Sequence, residues 1–184
     1  LSVGTLVCDG AMSTMLYGNP EESLDRPTEE LCLTKPDQVR DVHLSYIRSG
    51  ALMIETNTFA ANREKLSSYG LEKKVRDINR EATQIAKESR QFTGQHIWIA
   101  GSVGPLGKRI SPIGVLSEKR ARDIFQEQID ELAVSGVDII ILETFSDLGE
   151  IKVASEAAAS TGLPFIAQMA FGQDGLTLMG HTAS

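Results

Sequence analysis

"SGALMIETNTF" (residues 49–59) and "SGVDIIILETF" (residues 135–145) decide the reading of the fold. Each opens on a Ser-Gly stop at the end of a helical stretch, runs through consecutive apolar residues, and closes on Glu-Thr with a Phe shortly after. An unbroken apolar run, rather than an alternating one, suits a parallel strand covered on both faces. Comparable runs predict strands over 5–8, 51–55, 97–101, 137–143 and 163–171.

Between these runs the apolar residues switch to helical spacing. The stretch 35–50 places Val39, Val42, Leu44 and Ile47 on or near one stripe and stops at Gly50. The stretch 72–90 does the same with Val75, Ile78, Ala82, Ile85 and Ala86. The stretch 117–136 opens on Ser117 as an N-cap and ends at Gly136, and 147–162 repeats the pattern up to Gly162. Strand and helix therefore alternate with crossovers long enough for parallel pairing. A doubly wound sheet would carry a G-x-G-x-x-G turn after its first strand, and "DGAMST" (residues 9–14) lacks that spacing. The sequence predicts an α/β protein, a (β/α)8 TIM barrel of which these 184 residues cover about the first five βα units. Residues 1–184 are then the N-terminal part of the barrel domain, with two open sheet edges that call for a partner segment.

Composition narrows the function. A chain that is 41% hydrophobic and 23% charged is that of a soluble globular domain, and a net charge of −7 argues against a nucleic-acid or anionic membrane surface. The N-terminal residues have no signal-peptide pattern, and no apolar run approaches the ~20 residues that span a bilayer. Two cysteines, Cys8 and Cys32, are too few for a disulfide framework and fit a reducing cytoplasm. Cys8 is expected to be a small buried residue at a strand end.

In a barrel, chemistry gathers where the strands end. Those ends carry Asp9-Gly10-Ala11, Glu55-Thr56-Asn57-Thr58, Ser102-Val103-Gly104-Pro105, Glu143-Thr144 and Gln168. Carboxylates around one mouth can hold an ammonium group, or raise one another's pKa and work as acid and base. Each also has a simpler role: Asp9 before Gly forms turns, Glu55 and Glu143 cap helices, and Asn57 and Thr58 are common in turns. "GSVGPLG" (residues 101–107) can cradle an anion with its backbone N–H groups. His43, His96 and His181 are scattered, and with Cys8 and Cys32 they make no zinc-ligand spacing. No metal site and no nucleophile elbow or P-loop is predicted within these residues.

"LVCDGAMSTML" (6–16), "EELCLTKPDQVRDVHLSYIRSGALMIETNTFAANREKLSSYGL" (29–71), "AGSVGPLG" (100–107) and "ILETFSDLGEIKVASEAA" (141–158) together resemble the homocysteine S-methyltransferase family. The resemblance is nearest to the homocysteine-binding domains of cobalamin-dependent methionine synthase and of bacterial fusions with methylenetetrahydrofolate reductase. It implies a TIM barrel that moves a methyl group onto the thiol of homocysteine, giving methionine. In that family the donor varies among a methylcobalamin, a betaine and a sulfonium, and the resemblance implies a zinc ion that deprotonates the thiol. It further implies Asp9 and Glu143 near the substrate ammonium, and backbone N–H groups around Gly10 and Ala11 at its carboxylate. Glu55, Thr56, Asn57 and Thr58 would line the mouth, with Ser102 and Gly104 supporting its floor.

Two departures from the family pattern stand out. Ser13 occupies a position where the family commonly has Gly. The family's zinc cysteines fall on later strands, so the ligands are expected beyond residue 184, with no catalytic or metal residue in this chain and no activity from it alone. Cobalamin or folate donors would sit on other domains, such as a C-terminal reductase or corrinoid and folate modules. Two other readings stay open: another barrel enzyme holding phosphate on the 101–107 loop, and a non-catalytic amino-acid-binding or domain-docking module. The first lacks a Schiff-base lysine at a strand end, since Lys65, Lys108 and Lys152 fall in loops or helices.

Overall fold

A computed structural model describes residues 5–17 and 26–183. Its centre is a four-stranded sheet, β1 (Met53–Glu55), β2 (Trp98–Val103), β3 (Ile139–Phe145) and β4 (Phe165–Met169), in the spatial order β1-β2-β3-β4. All pairings are parallel, with Ile54 opposite Ile99, Gly101 opposite Ile140 and Leu142 opposite Ala167. Sequential parallel neighbours require a crossover after each strand, and the helices supply it.

The crossover helices follow their predicted stripes. In α3 (Pro36–Arg48), after the short α1 (Met12–Leu16) and α2 (Leu31–Thr34), the residues Val39, Val42, Leu44 and Ile47 are buried. The short α4 (Arg63–Ser67) precedes α5 (Val75–Thr93), which buries Val75, Ile78, Ala82, Ile85 and Ala86 and ends at Gly94 in the left-handed region. For α6 (Glu118–Ser135), Ser117 Oγ accepts the N–H of Arg120 at 3.2 Å, so the predicted N-cap is in place. Asp147 caps α7 (Leu148–Ser160), accepting from the N–H groups of Gly149 and Glu150.

Strands β1 to β3 are largely buried on both faces, which is why they read as apolar runs, whereas β4 is exposed. One face packs Ile54, Ile99, Ile140 and Leu142 with Leu132 and the Phe125–Phe145 ring pair, whose centroids are 6.0 Å apart. The alternate residues Met53, Ala100 and Ile141 form a small cluster on the other face.

The edges differ from the centre. The strand predicted over 5–8 contracts to a single bridge between Cys8 and Met53, with Val7 O accepting the N–H of Leu52 at 2.8 Å. It has a strand neighbour on one side only among the described residues, so Leu6 and Val7 are 44% and 51% exposed. Cys8 is exposed for the same reason, not buried as the sequence suggests. At the opposite edge Phe165 and Ile166 are 37% and 36% exposed. Among the described residues no helix is long and apolar enough to cross a membrane.

Candidate functional site

The C-terminal ends of β1, β2 and β3 meet the turn after Cys8 around a pocket of about 400 Å³. Asp9, Gly10, Ala11, Glu55, Thr56, Asn57, Thr58, Ser102 and Glu143 all line it, joined by Met12, Ser13 and Phe59. Of the predicted substrate residues only Gly104 lies outside the lining. Gln168 is likewise absent from it, exposed on the outer strand β4.

Asp9 fastens the first turn to β1. Its N–H donates to Met53 O and its Oδ2 accepts the N–H of Glu55, both at 2.9 Å. Its other oxygen, Oδ1, is buried with no hydrogen-bond partner among the described residues. Burial pushes the Asp9 carboxyl up to about 7; the bond from the Glu55 N–H works against that rise, and the nearby Glu143 adds to it. Burial, followed by the charges of Glu143 and Asp9, pushes Glu55 up to about 8. Gly10 leaves room for a close neighbour, since a Cβ there would sit 3.1 Å from the Tyr46 hydroxyl. That hydroxyl donates to Ala11 O at 3.1 Å and pins the turn from below. Ser13 takes a regular place in α1, where its carbonyl accepts the N–H of Tyr17, so the helix accommodates its Cβ.

Glu143 reaches the pocket through an irregularity. The β3–β4 register shifts between Leu142 and Phe145, and Thr144 adopts φ 64°. A β-branched residue in the left-handed region is an outlier that costs roughly 1–3 kcal/mol, and such strain persists only where the surroundings impose it. The bulge re-aims the strand end. Glu143 lines the pocket, with Ser102 Oγ donating to its Oε1 at 2.5 Å, and Thr144 turns out to solvent.

The floor is a closed ring of hydrogen bonds. Ser102 N–H donates to Thr56 Oγ1 at 3.2 Å, and Thr58 Oγ1 donates to Ser102 O at 2.7 Å. The remaining 2.6 Å contact between the two threonine hydroxyls must then run from Thr56 to Thr58. Gln128 Nε2, from α6, donates to Thr58 O at 2.7 Å. Both threonine hydroxyls are thus committed to structure. So is the Asn57 amide, which donates to Thr28 O at 2.8 Å. These residues shape the pocket wall more than they offer polar groups to a ligand.

Gly104 acts from behind the wall. Its N–H donates to Phe59 O at 2.9 Å, and a Cβ on it would lie 2.5 Å from the Phe59 ring. Its role is therefore to leave room for Phe59, which lines the pocket in its place. Two buried carboxylates hold the flanking loops: Glu29 Oε1 accepts the N–H of Ala60 at 2.8 Å, and Glu150 Oε1 accepts the N–H of Leu106 at 2.7 Å. Burial pushes both groups up, offset in part by these N–H bonds. Sequence reasoning passed over Phe59, Glu29, Gln128 and Glu150. A signal existed for two of them: Gln128 falls on the stripe of Ile124, Phe125, Ile129 and Leu132, and Glu150 beside Ile151, Val153 and Ala154. A polar residue at a core position needs a buried partner.

The residues present do not suit a zinc ion. Among the described residues no group of three or more His, Cys, Asp or Glu is placed to hold a metal. Cys32 is sealed in the core, and burial pushes its thiol up to about 12. His43 is wholly buried and held neutral, down at about 4. No step through a metal is derived from these side chains.

Taken together, the fold and site define a portion of a (β/α)8 barrel with an acidic pocket of amino-acid size at the ends of its strands. The chain belongs to the homocysteine S-methyltransferase family, whose model matches residues 6–184. It is 29% identical to the methionine synthase of Mycobacterium tuberculosis over 194 residues, covering 98% of this chain and 16% of that protein. It is 32% identical to the methionine synthase of Mycobacterium leprae over 162 residues, covering 84% of this chain and 13% of that one. The chain therefore spans less than a fifth of those curated relatives. In fold it is similar to the homocysteine methyltransferase MmuM from Escherichia coli in its metallated form, with TM-score 0.79 and 22% identity over 96% of this chain and 67% of that one. The oxidized form gives TM-score 0.81 and 23% identity over 96% and 66%.

Proposed function

We propose that this chain supplies the amino-acid-binding part of a homocysteine S-methyltransferase, which moves a methyl group onto the homocysteine thiol and yields methionine. The observation that carries the reading is the convergence of Asp9, Glu55 and Glu143 on one pocket, with no Lys or Arg among the described residues that line it. A desolvated carboxylate cluster is costly unless a cation enters it, and the substrate ammonium is such a cation. Asp9 and Glu143 hold the ammonium, the backbone at Gly10 and Ala11 borders the substrate carboxylate, and Phe59 covers the side chain.

Residues 1–184 are, in this reading, the N-terminal part of the barrel domain, and the whole protein contains the strands that close it. Zinc belongs to residues outside the described ones, and thiol activation is assigned to none of the groups here. A cobalamin or folate donor rides on other domains, in keeping with the greater length of the methionine synthases that this chain matches. Two unpaired cysteines support a cytoplasmic setting. The phosphate alternative is disfavoured, because the loop's N–H groups at Ser102, Gly104 and Leu106 already donate to Thr56, Phe59 and Glu150.

Calorimetric titration of the full-length protein with L-homocysteine tests the reading. Binding is expected, with loss in a Glu143→Ala variant that keeps its circular dichroism spectrum. Equal affinity for 4-mercaptobutanoate, which lacks the amine, would overturn it.

A further inference from the structure

The geometry points to Gln168 as a ligand-contacting residue: its carboxamide oxygen accepts from the same ammonium that Glu143 holds, so the site selects a primary amine. The inference rests on the amino-acid reading above and adds to it a residue on β4, outside the pocket lining.

The bulge in β3 sets the opposition. Leu142 pairs with Ala167 and Phe145 with Met169, so Glu143 and Thr144 together face Gln168 alone. The Ala170 N–H donates to Phe145 O at 2.7 Å, so pairing resumes directly beyond it. The neighbours of Gln168 along β4 show which face it occupies. Met169 packs against the core beneath the helices, whereas Ile166 pairs with Ile141 of the cluster on the opposite, inner face. Alternation places Gln168 with Ile166, on the face from which Glu143 enters the pocket. Directly opposed strand residues have Cβ atoms ~5 Å apart, within reach of a glutamine side chain. Glu143 is thus flanked by Ser102 on β2, whose hydroxyl donates to it, and by Gln168 on β4.

Chemistry assigns the role. An ammonium brings three N–H donors, of which Asp9 and Glu143 take two. The hydroxyls of Thr56 and Thr58 are committed to each other and to Ser102. The Gln168 carboxamide has no hydrogen bond among the described residues. Once the barrel closes beside β4, an inward amide needs a partner. Its oxygen supplies the third acceptor without burying a further charge beside Asp9, Glu55 and Glu143.

The test is calorimetric titration of the full-length protein with L-homocysteine and with N-methyl-L-homocysteine. The added methyl displaces the bond to the neutral amide, which is weaker than those to carboxylates. Homocysteine is expected to bind ~10-fold tighter than its N-methyl form, the worth of one hydrogen bond to a charged group. Gln168→Met keeps the length of the side chain and removes its oxygen. It should weaken homocysteine ~10-fold and the N-methyl ligand less than ~3-fold, with an unchanged circular dichroism spectrum. Unchanged homocysteine affinity in Gln168→Met would overturn the assignment and give the third proton to Glu55. Equal weakening of both ligands would overturn it as a change in packing alone, and equal wild-type affinity for the two would overturn it without any variant. The amino-acid reading survives all three results, and falls together with the assignment if the wild-type protein binds no homocysteine.

Discussion

Glu55-Thr56 and Glu143-Thr144 occupy matching places in two stretches that look alike, yet the structure treats them oppositely. After β1 the backbone stays in register: Thr56 N–H continues the ladder to Ala100 O at 2.8 Å, and its side chain is buried in the Ser102–Thr58 ring. After Leu142 the register slips, Thr144 is left-handed and exposed, and its strain accompanies the turn of Glu143 into the pocket. An apolar run ending in Glu-Thr thus fixes where a carboxylate is, not how it is aimed. The neighbours differ: Asp9 holds the backbone N–H of Glu55, whereas the bulge and Ser102 aim the carboxylate of Glu143.

Variants can break or sharpen this contrast. The largest effect is expected at the aimed carboxylate: Glu143→Ala should weaken amino-acid binding by ~100-fold or more, near the ~3 kcal/mol cost of unpairing a buried charge, as read by calorimetry. Unchanged affinity would mean that the bulge serves no ligand. Next comes pH. Asp9 and Glu55 are raised to about 7 and about 8, so the folded state binds extra protons. Their contribution is full below the unfolded carboxylate range near ~4 and is lost as pH climbs through 7 to 8. His43, held down at about 4, works the other way: its contribution is present above ~6.5 and lost as pH falls towards 4. Between pH ~6.5 and ~8.5 the raised carboxylates dominate, with the buried Cys32 thiol acting in the same direction at the upper end. The melting temperature should therefore fall across that window, and Glu55→Gln should flatten the slope.

Smaller effects compare the threonines directly. Thr56→Val removes the middle of the ring and should cost ~1–3 kcal/mol in urea unfolding. Thr144→Gly relieves a left-handed β-branched residue against the entropy of glycine, and should leave stability unchanged or raise it by up to ~1 kcal/mol. If both substitutions destabilised alike, the two ends would be equivalent after all.

The same contrast marks what the sequence made legible. Long helices were readable because their buried residues recur at helical spacing and their ends carry real caps, Ser117 with Arg120 and glycine at 94 and 136. The parallel sheet followed from the alternation of strand and helix, and the three pocket carboxylates from the rule that barrel chemistry sits at strand ends. Residues 5–8 read as a full strand, but pairing depends on neighbours that local pattern does not reveal, and only one bridge forms. Gly104 was placed at the floor on the family resemblance, whereas the space it leaves is filled by Phe59. The left-handed Thr144 was unreadable, since a β-branched residue is among the least expected there.

The two buried glutamates have a consequence for recombination. Glu29 precedes β1 in the chain but holds the loop that follows it at Ala60, and Glu150 follows β3 but holds the loop after β2 at Leu106. Neither latch belongs to the βα unit whose loop it secures. A chimera cut cleanly between units would separate latch from loop, leaving a buried carboxylate with no N–H to accept and a pocket wall with no fastening. Crossovers that keep residues 29 to 60 and 106 to 150 intact should yield folded hybrids, so the exchangeable blocks of this barrel overlap its structural repeats rather than coincide with them.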